Sequence, residues 1–378
     1  MSFPSVPSAS VPSLSGEPSS RPAAGLAQFG RVGARGVVEC VDLTREPQRL
    51  DDGGLWFVVA DFDGPERGGR RRAWRFAERT GPAPVPAGTA PAPAAWRGPA
   101  RGAWTSSLDR TGYQDAVRRV RAAVAEGDVY QANVCRVLAA PLGAADGREP
   151  DARALAAVLA AGNPAPYGGV LHVPASTGVD PVWVVTASPE LYLRVAGGRV
   201  TSGPIKGTAA TAAGLGDKDR AENVMITDLV RNDLQRVCLP GTVEVTRLLG
   251  VEEHPGLVHL VSTVEGRLRG GGRPGWAALL GATFPPASVS GAPKSSALRI
   301  IDELEPVPRG PYCGAVGWVD ADAGTAELAV GIRTFWWDDD VLRFGTGAGI
   351  TWGSDPAREW EETELKARRL VALASARR

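Results

Sequence analysis

Lys206 stands in Ser202-Gly-Pro-Ile-Lys-Gly-Thr208, between apolar and glycine neighbours and off any helix face. Two readings fit it. One is an ordinary surface lysine. The other is a lysine enclosed in a restricted pocket, where burial disfavours the charge and leaves a nucleophilic amine. Carboxylates come next. Glu222 lies three, four and seven residues before Met225, Ile226 and Leu229, so on a helix it shares their apolar face. It is either a helix-start carboxylate favoured by the macrodipole and reaching solvent, or a metal ligand or charge partner in a cleft. An unpaired carboxylate on that face would be costly. Glu359 and Glu362 are spaced i, i+3 and can face one point in space. Acidic first turns are common on helices. A hard cation held there by one or two carboxylates plus substrate oxygens would be magnesium.

Two glycine-rich stretches invite phosphate chemistry and fail its requirements. Gly345-Thr-Gly-Ala-Gly349 follows a strand-like run, but its spacing departs from G-x-G-x-x-G and Ile350-Thr-Trp does not open a helix. Its glycines are expected to let the backbone approach a ligand or turn sharply. Ser290-Gly-Ala-Pro-Lys294-Ser places Pro293 where a phosphate loop needs glycine, which excludes ATP binding through it.

These residues need elements to hold them. A helix is predicted over Tyr113–Glu126, with Val117, Val120 and Val124 on one face and Gly127 as its stop. Others are predicted from about Lys218 to Val237, over Ser295–Leu304, and from Pro356 to the C-terminus behind Ser354-Asp355. Apolar runs at Val37–Val41, Leu55–Phe62, Gly168–Val173, Val182–Ala187, Leu191–Val195, Gly314–Val319, Ala326–Thr334 and Leu342–Thr346 read as strands. The mixture lacks regular βαβ alternation. It argues for an α+β fold with large antiparallel sheets. Residues 1–30 are rich in Pro and Ser and read as a disordered tail, and Pro82–Ala100 reads as a linker or long loop.

The chain has 378 residues, room for about two domains or one large one, and an ample core. With 42 basic and 42 acidic residues, no electrostatic footprint for a nucleic acid is present. Four cysteines without a C-x-x-C pair argue against a zinc site or a disulfide framework and suggest a reduced, cytoplasmic protein. Three histidines, His172, His254 and His259, are too few for a His-rich metal site. No apolar run reaches the ~18 residues of a membrane span, and the N-terminus lacks the pattern of a secretory signal.

In order along the chain, these signals resemble the chorismate-utilising enzymes, and most closely the branch represented by component I of aminodeoxychorismate synthase. The matching stretches are Gly127-Asp-Val-Tyr-Gln-Ala-Asn133, Ser188-Pro-Glu-Leu191, Pro204-Ile-Lys-Gly-Thr208, Asp219-Arg-Ala-Glu-Asn223 with Asp228-Leu-Val-Arg-Asn-Asp233, and His259-Leu-Val-Ser-Thr263. They continue with Ser290-Gly-Ala-Pro-Lys294, Ile301-Asp-Glu-Leu-Glu-Pro306, Tyr312-Cys-Gly-Ala-Val-Gly317, Ile332-Arg-Thr334, and Ser354-Asp-Pro356 with Glu359-Trp-Glu-Glu-Thr363. They span about Trp104 to Arg369. The resemblance therefore divides the chain into the tail, a shortened and divergent N-terminal region at 31–103, and a chorismate-binding catalytic domain at 104–378.

The resemblance implies two large antiparallel sheets packed on each other with helices outside. It implies Mg²⁺ bridging Glu222, Glu362 and a substrate carboxylate, with Glu359 as an additional or water-mediated ligand. Arg333 and Tyr312 would hold a carboxylate, a task that suits a guanidinium. Backbone amides at Gly347, Ala348 and Gly349, with Lys366, would take the remaining negative charge. Gly207, Thr208 and His259 would line the substrate, Thr208 near the C4 hydroxyl. Lys206 would attack C2 of chorismate while Glu190, as general acid, protonates the departing C4 hydroxide. Ammonia would then add at C4 and expel the lysine. Anthranilate and isochorismate synthases usually carry Ala at the lysine position. The sequence shows no glutamine-hydrolysing Cys/His module, so the ammonia is expected from a separate glutamine amidotransferase subunit. The alternatives are an anthranilate synthase component I-type enzyme and a non-catalytic protein that keeps only the fold. Three stretches depart from the family pattern: Ala209-Ala-Thr-Ala, Gly347-Ala-Gly and Thr351-Trp-Gly353.

Overall fold

The computed structural model describes residues 23–81, 96–144, 148–209, 211–254, 257–270 and 275–376. In chain order the strands are β1 (Ala23–Phe29), β2 (Val32–Asp42), β3 (Leu55–Ala60), β4 (Arg71–Thr80), β5 (Thr105–Ser106), β6 (Gln131–Pro141), β7 (Tyr167–Val173), β8 (Val182–Ser188) and β9 (Leu191–Ala196). They continue as β10 (Arg199–Gly203), β11 (Ile205–Ala209), β12 (Glu244–His254), β13 (Leu257–Arg267), β14 (Gly291–Ala292), β15 (Ala315–Asp320), β16 (Thr325–Val330), β17 (Thr334–Asp338) and β18 (Val341–Ile350). The helices are α1 (Arg110–Glu126), α2 (Ala152–Gly162), α3 (Asp217–Gln235), α4 (Trp276–Thr283), α5 (Lys294–Leu304) and α6 (Pro356–Ala374).

Local chemistry sets several boundaries. Asp109 accepts a hydrogen bond from Gly112 N at 2.8 Å, and Gly127 ends α1 at φ 86°. Asp355 accepts from Ala357 N and Arg358 N, with Pro356 opening α6. α2 and α4 lie outside the sequence expectation. α4 is apolar nearly all round, so it has no polar face to reveal its period. α2 is an alanine run behind an Asp151 cap.

Every named strand pairing is antiparallel, which bears out the α+β expectation. One layer runs β6–β18–β17–β8–β7–β1, and the other runs β2–β4–β3–β15–β16–β9–β10–β13, with β11 and β12 both on β13. The β1–β2 pairing joins the two layers into one hydrogen-bonded ribbon. Val173 and Val184 of the first layer share the largest buried core with Phe57, Trp74 and Leu328 of the second. α2 and α6 cover the outer face of the first layer through Leu155, Leu159 and Leu370. α1 and α5 pack near β6 and β18 through Val117, Val120, Ile300 and Ile350.

One sequence boundary needs correction. The expected tail over 1–30 extends into an ordered strand, because β1 pairs with β2 on one side and β7 on the other. Residues 1–22 lie outside the described residues. The regions expected at 31–103 and 104–378 share a sheet. β3 pairs with β15 from Leu55↔Asp320 to Ala60↔Ala315, so the N-terminal strands complete the same sheets. Composition misses this, because a strand's partner is set by non-local pairing. Of the stretch Pro82–Ala100, residues 82–95 lie outside the described residues. Trp96 is buried and donates Nε1 to Ala374 O at 2.8 Å.

Candidate active site

The predicted chemistry gathers where β11, the β8–β9 corner, the end of β18 and the first turns of α3 and α6 meet. Lys206 comes from β11, which hydrogen-bonds to β13 with Lys206 opposite Leu260 and Thr208 opposite His259. Its Nζ lies beside Gly349, 3.1 Å from where a Cβ on that glycine would sit. Burial pulls the Lys206 ammonium below the usual lysine range and Lys366 adds to the effect, while Glu222, Glu190 and Glu362 oppose it. Lys206 is half-buried, between the two expectations.

Glu190 sits in the turn between β8 and β9 and is 3% exposed. Ile205 N donates to its Oε1 at 3.4 Å. Burial raises its carboxyl to about 7, with a hydrogen bond from Ser288 and the charge of Lys206 pulling the other way. Lys206 and Glu190 are thus neighbours in which burial lowers the pKa of the amine and raises that of the carboxyl.

The acidic side is built by α3 and α6. Lys218 Nζ lies 3.7 Å from Glu222 Oε1 and 3.5 Å from Glu359 Oε1, so the two helix starts converge on it. Glu222 Oε1 is buried and accepts no hydrogen bond. Burial raises the carboxyls of Glu222 and Glu359, whereas Lys366 holds that of Glu362 down. Lys366 Nζ is 2.7 Å from Glu362 Oε1 and donates to Gly347 O at 2.9 Å. Among the described residues, no three His, Cys, Asp or Glu side chains close on one point as a metal cage.

The remaining predicted residues divide. Arg333 adopts a positive φ of 53°, uncommon for a residue with a side chain. Its Nη2 is 3.5 Å from His259 Nε2, and burial alone lowers its pKa. Tyr312 is buried against β18, where a Cβ on Gly345 would meet its ring at 2.0 Å. The glycine stretch is not a loop. β18 runs unbroken through Gly345-Thr-Gly-Ala-Gly349 in register with β6. A Cβ on Gly347 would strike Cys135 Sγ at 2.5 Å, so packing accounts for this glycine. The Ala348 side chain joins the α1–α5 core. Gly349 borders the lysine. Gly207, at φ 81°, is required because β11 passes close to α3, where a Cβ would meet Asp219 at 2.8 Å.

Two further site residues have no role that the sequence motifs assign. Gln131 is fully buried and neither of its amide atoms has a hydrogen-bond partner among the described residues. Asn133 Oδ1 is likewise unpartnered. A Cβ on Gly349 would lie 2.2 Å from Gln131 Nε2 and 3.0 Å from Asn133 Oδ1, placing both amides beside the Lys206 head. Their alternation in Tyr130-Gln-Ala-Asn133 is the signal that could have found them, since i and i+2 on a strand face the same side.

Comparison with known proteins places this arrangement in a family. Component 1 of anthranilate synthase from Streptomyces coelicolor is 41% identical over 304 residues, covering 75% of this chain and 57% of that protein. Its counterpart from Saccharolobus solfataricus is 41% identical over 227 residues, covering 57% of this chain and 52% of that one. The chain thus spans little more than half the length of these two relatives, and their name is anthranilate synthase, not aminodeoxychorismate synthase. Among solved structures, the fold is similar to anthranilate synthase component I from Streptococcus pneumoniae, with a TM-score of 0.70, 23% identity, and coverage of 97% of this chain and 95% of that one. It is also similar to the menaquinone-specific isochorismate synthase of Escherichia coli, with a TM-score of 0.72, 20% identity, and coverage of 94% and 90%. The chorismate binding enzyme profile matches residues 77–372, most of the chain and all of the site described above, and the chain belongs to that family.

Proposed function

We propose that the protein aminates chorismate, using Lys206 and Glu190 as its reacting groups. The observation that carries this reading is the adjacency of the half-buried Lys206 and the buried Glu190, joined by the hydrogen bond from Ile205 N to Glu190 Oε1, with burial disfavouring the charged form of each. In this mechanism neutral Lys206 attacks C2 of the ring, and the C4–O bond breaks as Glu190 gives its proton to the departing oxygen. Ammonia then forms a bond at C4 and the lysine leaves, giving 4-amino-4-deoxychorismate. Splitting the displacement in two lowers each barrier. The Arg333 guanidinium takes a substrate carboxylate, and Gln131 and Asn133 offer buried polar groups to the ring substituents.

The residues present fit a magnesium ion. The unpartnered Glu222 Oε1, with Glu359 across Lys218 from it, suits an ion held by few carboxylates and completed by ligand oxygens and water. When bound, the ion would supply Lewis-acid polarisation of a substrate carboxylate and a template for its position. Ammonia is proposed to come from a separate glutamine-hydrolysing subunit.

A second reading differs in the ring position aminated. The relatives' names favour amination at C2 and elimination to anthranilate, and they support that product better than the first. Lys206 supports the first, because the anthranilate branch usually carries Ala there. Mass spectrometry of the product from chorismate, Mg²⁺ and ammonium distinguishes the two. A mass matching aminodeoxychorismate supports C4 amination, and fluorescent anthranilate supports the second reading. Absence of any turnover overturns both.

A further inference from the structure

The two halves of α6 are held in different ways. Its second half is anchored by apolar packing, with Ala367, Leu370 and Ala374 in the core beside α2. Its first half carries the carboxylates of the acidic side. There the buried residues are Glu359 and Thr363, both polar, and Trp360 packs at the edge of the α1–α5 core.

Arg136 of β6, 2% exposed, meets this first half. Its guanidinium lies 4.2 Å from the centroid of the Trp360 ring. Nε donates to Thr363 Oγ1 at 3.0 Å, and Nη2 donates to Glu364 Oε1. Nη1 donates to Ser106 Oγ at 3.1 Å, which ties the group back to β5. One planar side chain thus grips α6 at residues spaced i, i+3 and i+4, the spacing of a single helix face. Glu359, Glu362 and Lys366 lie at i, i+3 and i+7 on a neighbouring face. Any tilt of these turns carries the carboxylates with it.

We propose that Arg136 is a positioning residue that fixes the first turns of α6 and so places Glu359 and Glu362 for a divalent cation. The inference rests on the reading of those carboxylates as part of a magnesium site. Its sign separates it from a plain charge effect. A guanidinium repels a cation, so removing its charge alone would tighten cation binding. Releasing the helix start weakens it, because the carboxylates lose their set positions.

Titration calorimetry of the full chain with Mg²⁺ tests this, and it needs no chorismate. Arg136→Met keeps much of the side chain's length and strands no buried charge, since Glu364 is half exposed. Thr346 Oγ1 still donates to Thr363 O at 2.9 Å in that variant's background, and Thr363 Oγ1 to Trp360 O at 2.8 Å. Thr363→Val removes the acceptor of Nε and changes no charge. Arg136→Lys keeps the charge without the planar fork. Arg136→Met is expected to weaken Mg²⁺ binding by roughly ten-fold or more, the usual cost of losing a group that orients a metal's ligands. Thr363→Val should weaken it in the same direction, and Arg136→Lys should not restore it. Hydrogen exchange read by mass spectrometry should quicken over residues 357–364 while α3 keeps its wild-type rates. A role in folding alone would lower the melting temperature and leave the affinity of the folded protein unchanged. Wild-type or tighter affinity in folded Arg136→Met would therefore overturn the proposal, and Thr363→Val decides in the same way if Arg136→Met does not fold. If the wild type binds no Mg²⁺, the magnesium reading itself fails. Exchange in the first turns of α6 then decides alone, and unchanged rates would remove Arg136 from the role.

Discussion

Burial raises the Glu190 carboxyl from 4.5 to about 7, and this shift has two consequences of opposite kind. For turnover, the acid form is needed, so kcat should fall as pH rises through about 7. For stability, the folded protein binds this proton more tightly than the unfolded chain does. The cost of ionising Glu190 is absent below pH 4.5, grows with pH, and is complete above 7, where it amounts to roughly 3 kcal/mol at 1.36 kcal/mol per unit. Glu190→Gln should therefore be inactive yet more stable than wild type at about pH 8, with no gain at about pH 4. Urea unfolding at the two pH values checks the sign, and equal stability differences at both would refute it. Lys206 faces the opposite demand, since it must shed its proton to react. Lys206→Ala should lose most C4 amination, and Lys206→Arg should not restore it, because a guanidinium stays protonated. Intact mass after incubation with chorismate and Mg²⁺ without ammonia should show an adduct at Lys206. Full-rate amination by the alanine variant would remove the lysine from the mechanism.

At the scale of elements, the acidic side of the site depends on two helix starts. The first turns of α3 and α6 bring Glu222 and Glu359 to either side of Lys218 Nζ. Glu222→Ala and Glu362→Ala should each weaken Mg²⁺ binding by calorimetry and abolish turnover while leaving the circular dichroism unchanged. Near-normal activity at low Mg²⁺ in either variant would remove that residue from the ion's shell. The strand β1 bears on folding instead. Phe29 is 4% exposed, packs 5.9 Å from Phe57 between ring centroids, and belongs to the strand that links the two layers. Phe29→Ala should cost about 3–5 kcal/mol in denaturant unfolding. A loss under 1 kcal/mol would show that this end of the ribbon is dispensable. The reading of residues 1–30 as a disordered tail therefore does not extend across β1.

Across the whole molecule, one buried ion pair ties the layers to the site. Arg309 Nη2 and Nε donate to Glu305 at 2.7 and 2.8 Å, Arg309 Nη1 donates to Val289 O, and Arg309 Nη2 also reaches Asn133 O. Cys135 N donates to the same carboxylate, and the guanidinium lies 4.1 Å from the Phe62 ring. The pair thus holds the strand of Gln131 and Asn133, the turn of Ser288 beside Glu190, and the N-terminal layer in one frame. Arg309→Leu would leave Glu305 buried and unpaired, an expected loss of about 3–5 kcal/mol. Replacing both residues with apolar ones should cost less, and calorimetric melting of the single and double variants measures the difference.

Local rules make much of this molecule legible in its sequence. Capping at Asp109 and Asp355, the stop at Gly127 and the i, i+3 spacing of Glu359 and Glu362 act within one or two turns, so the residues that obey them are neighbours along the chain. The order of motifs identifies the family and marks Lys206, Glu190 and the three glutamates as candidates. Tertiary structure decides what depends on distant partners. Gly347 is small because of Cys135 on the neighbouring strand, and Ala348 points away from the lysine. The fold also sets Gln131 and Asn133 beside Lys206 and makes β1 a joint instead of a tail. A strand's period of two alternates its faces, but only pairing with remote strands determines which face meets which neighbour. The basicity of Lys206 follows the same logic. Its depression comes from burial among groups that lie far from it in sequence, and only the fold brings them together.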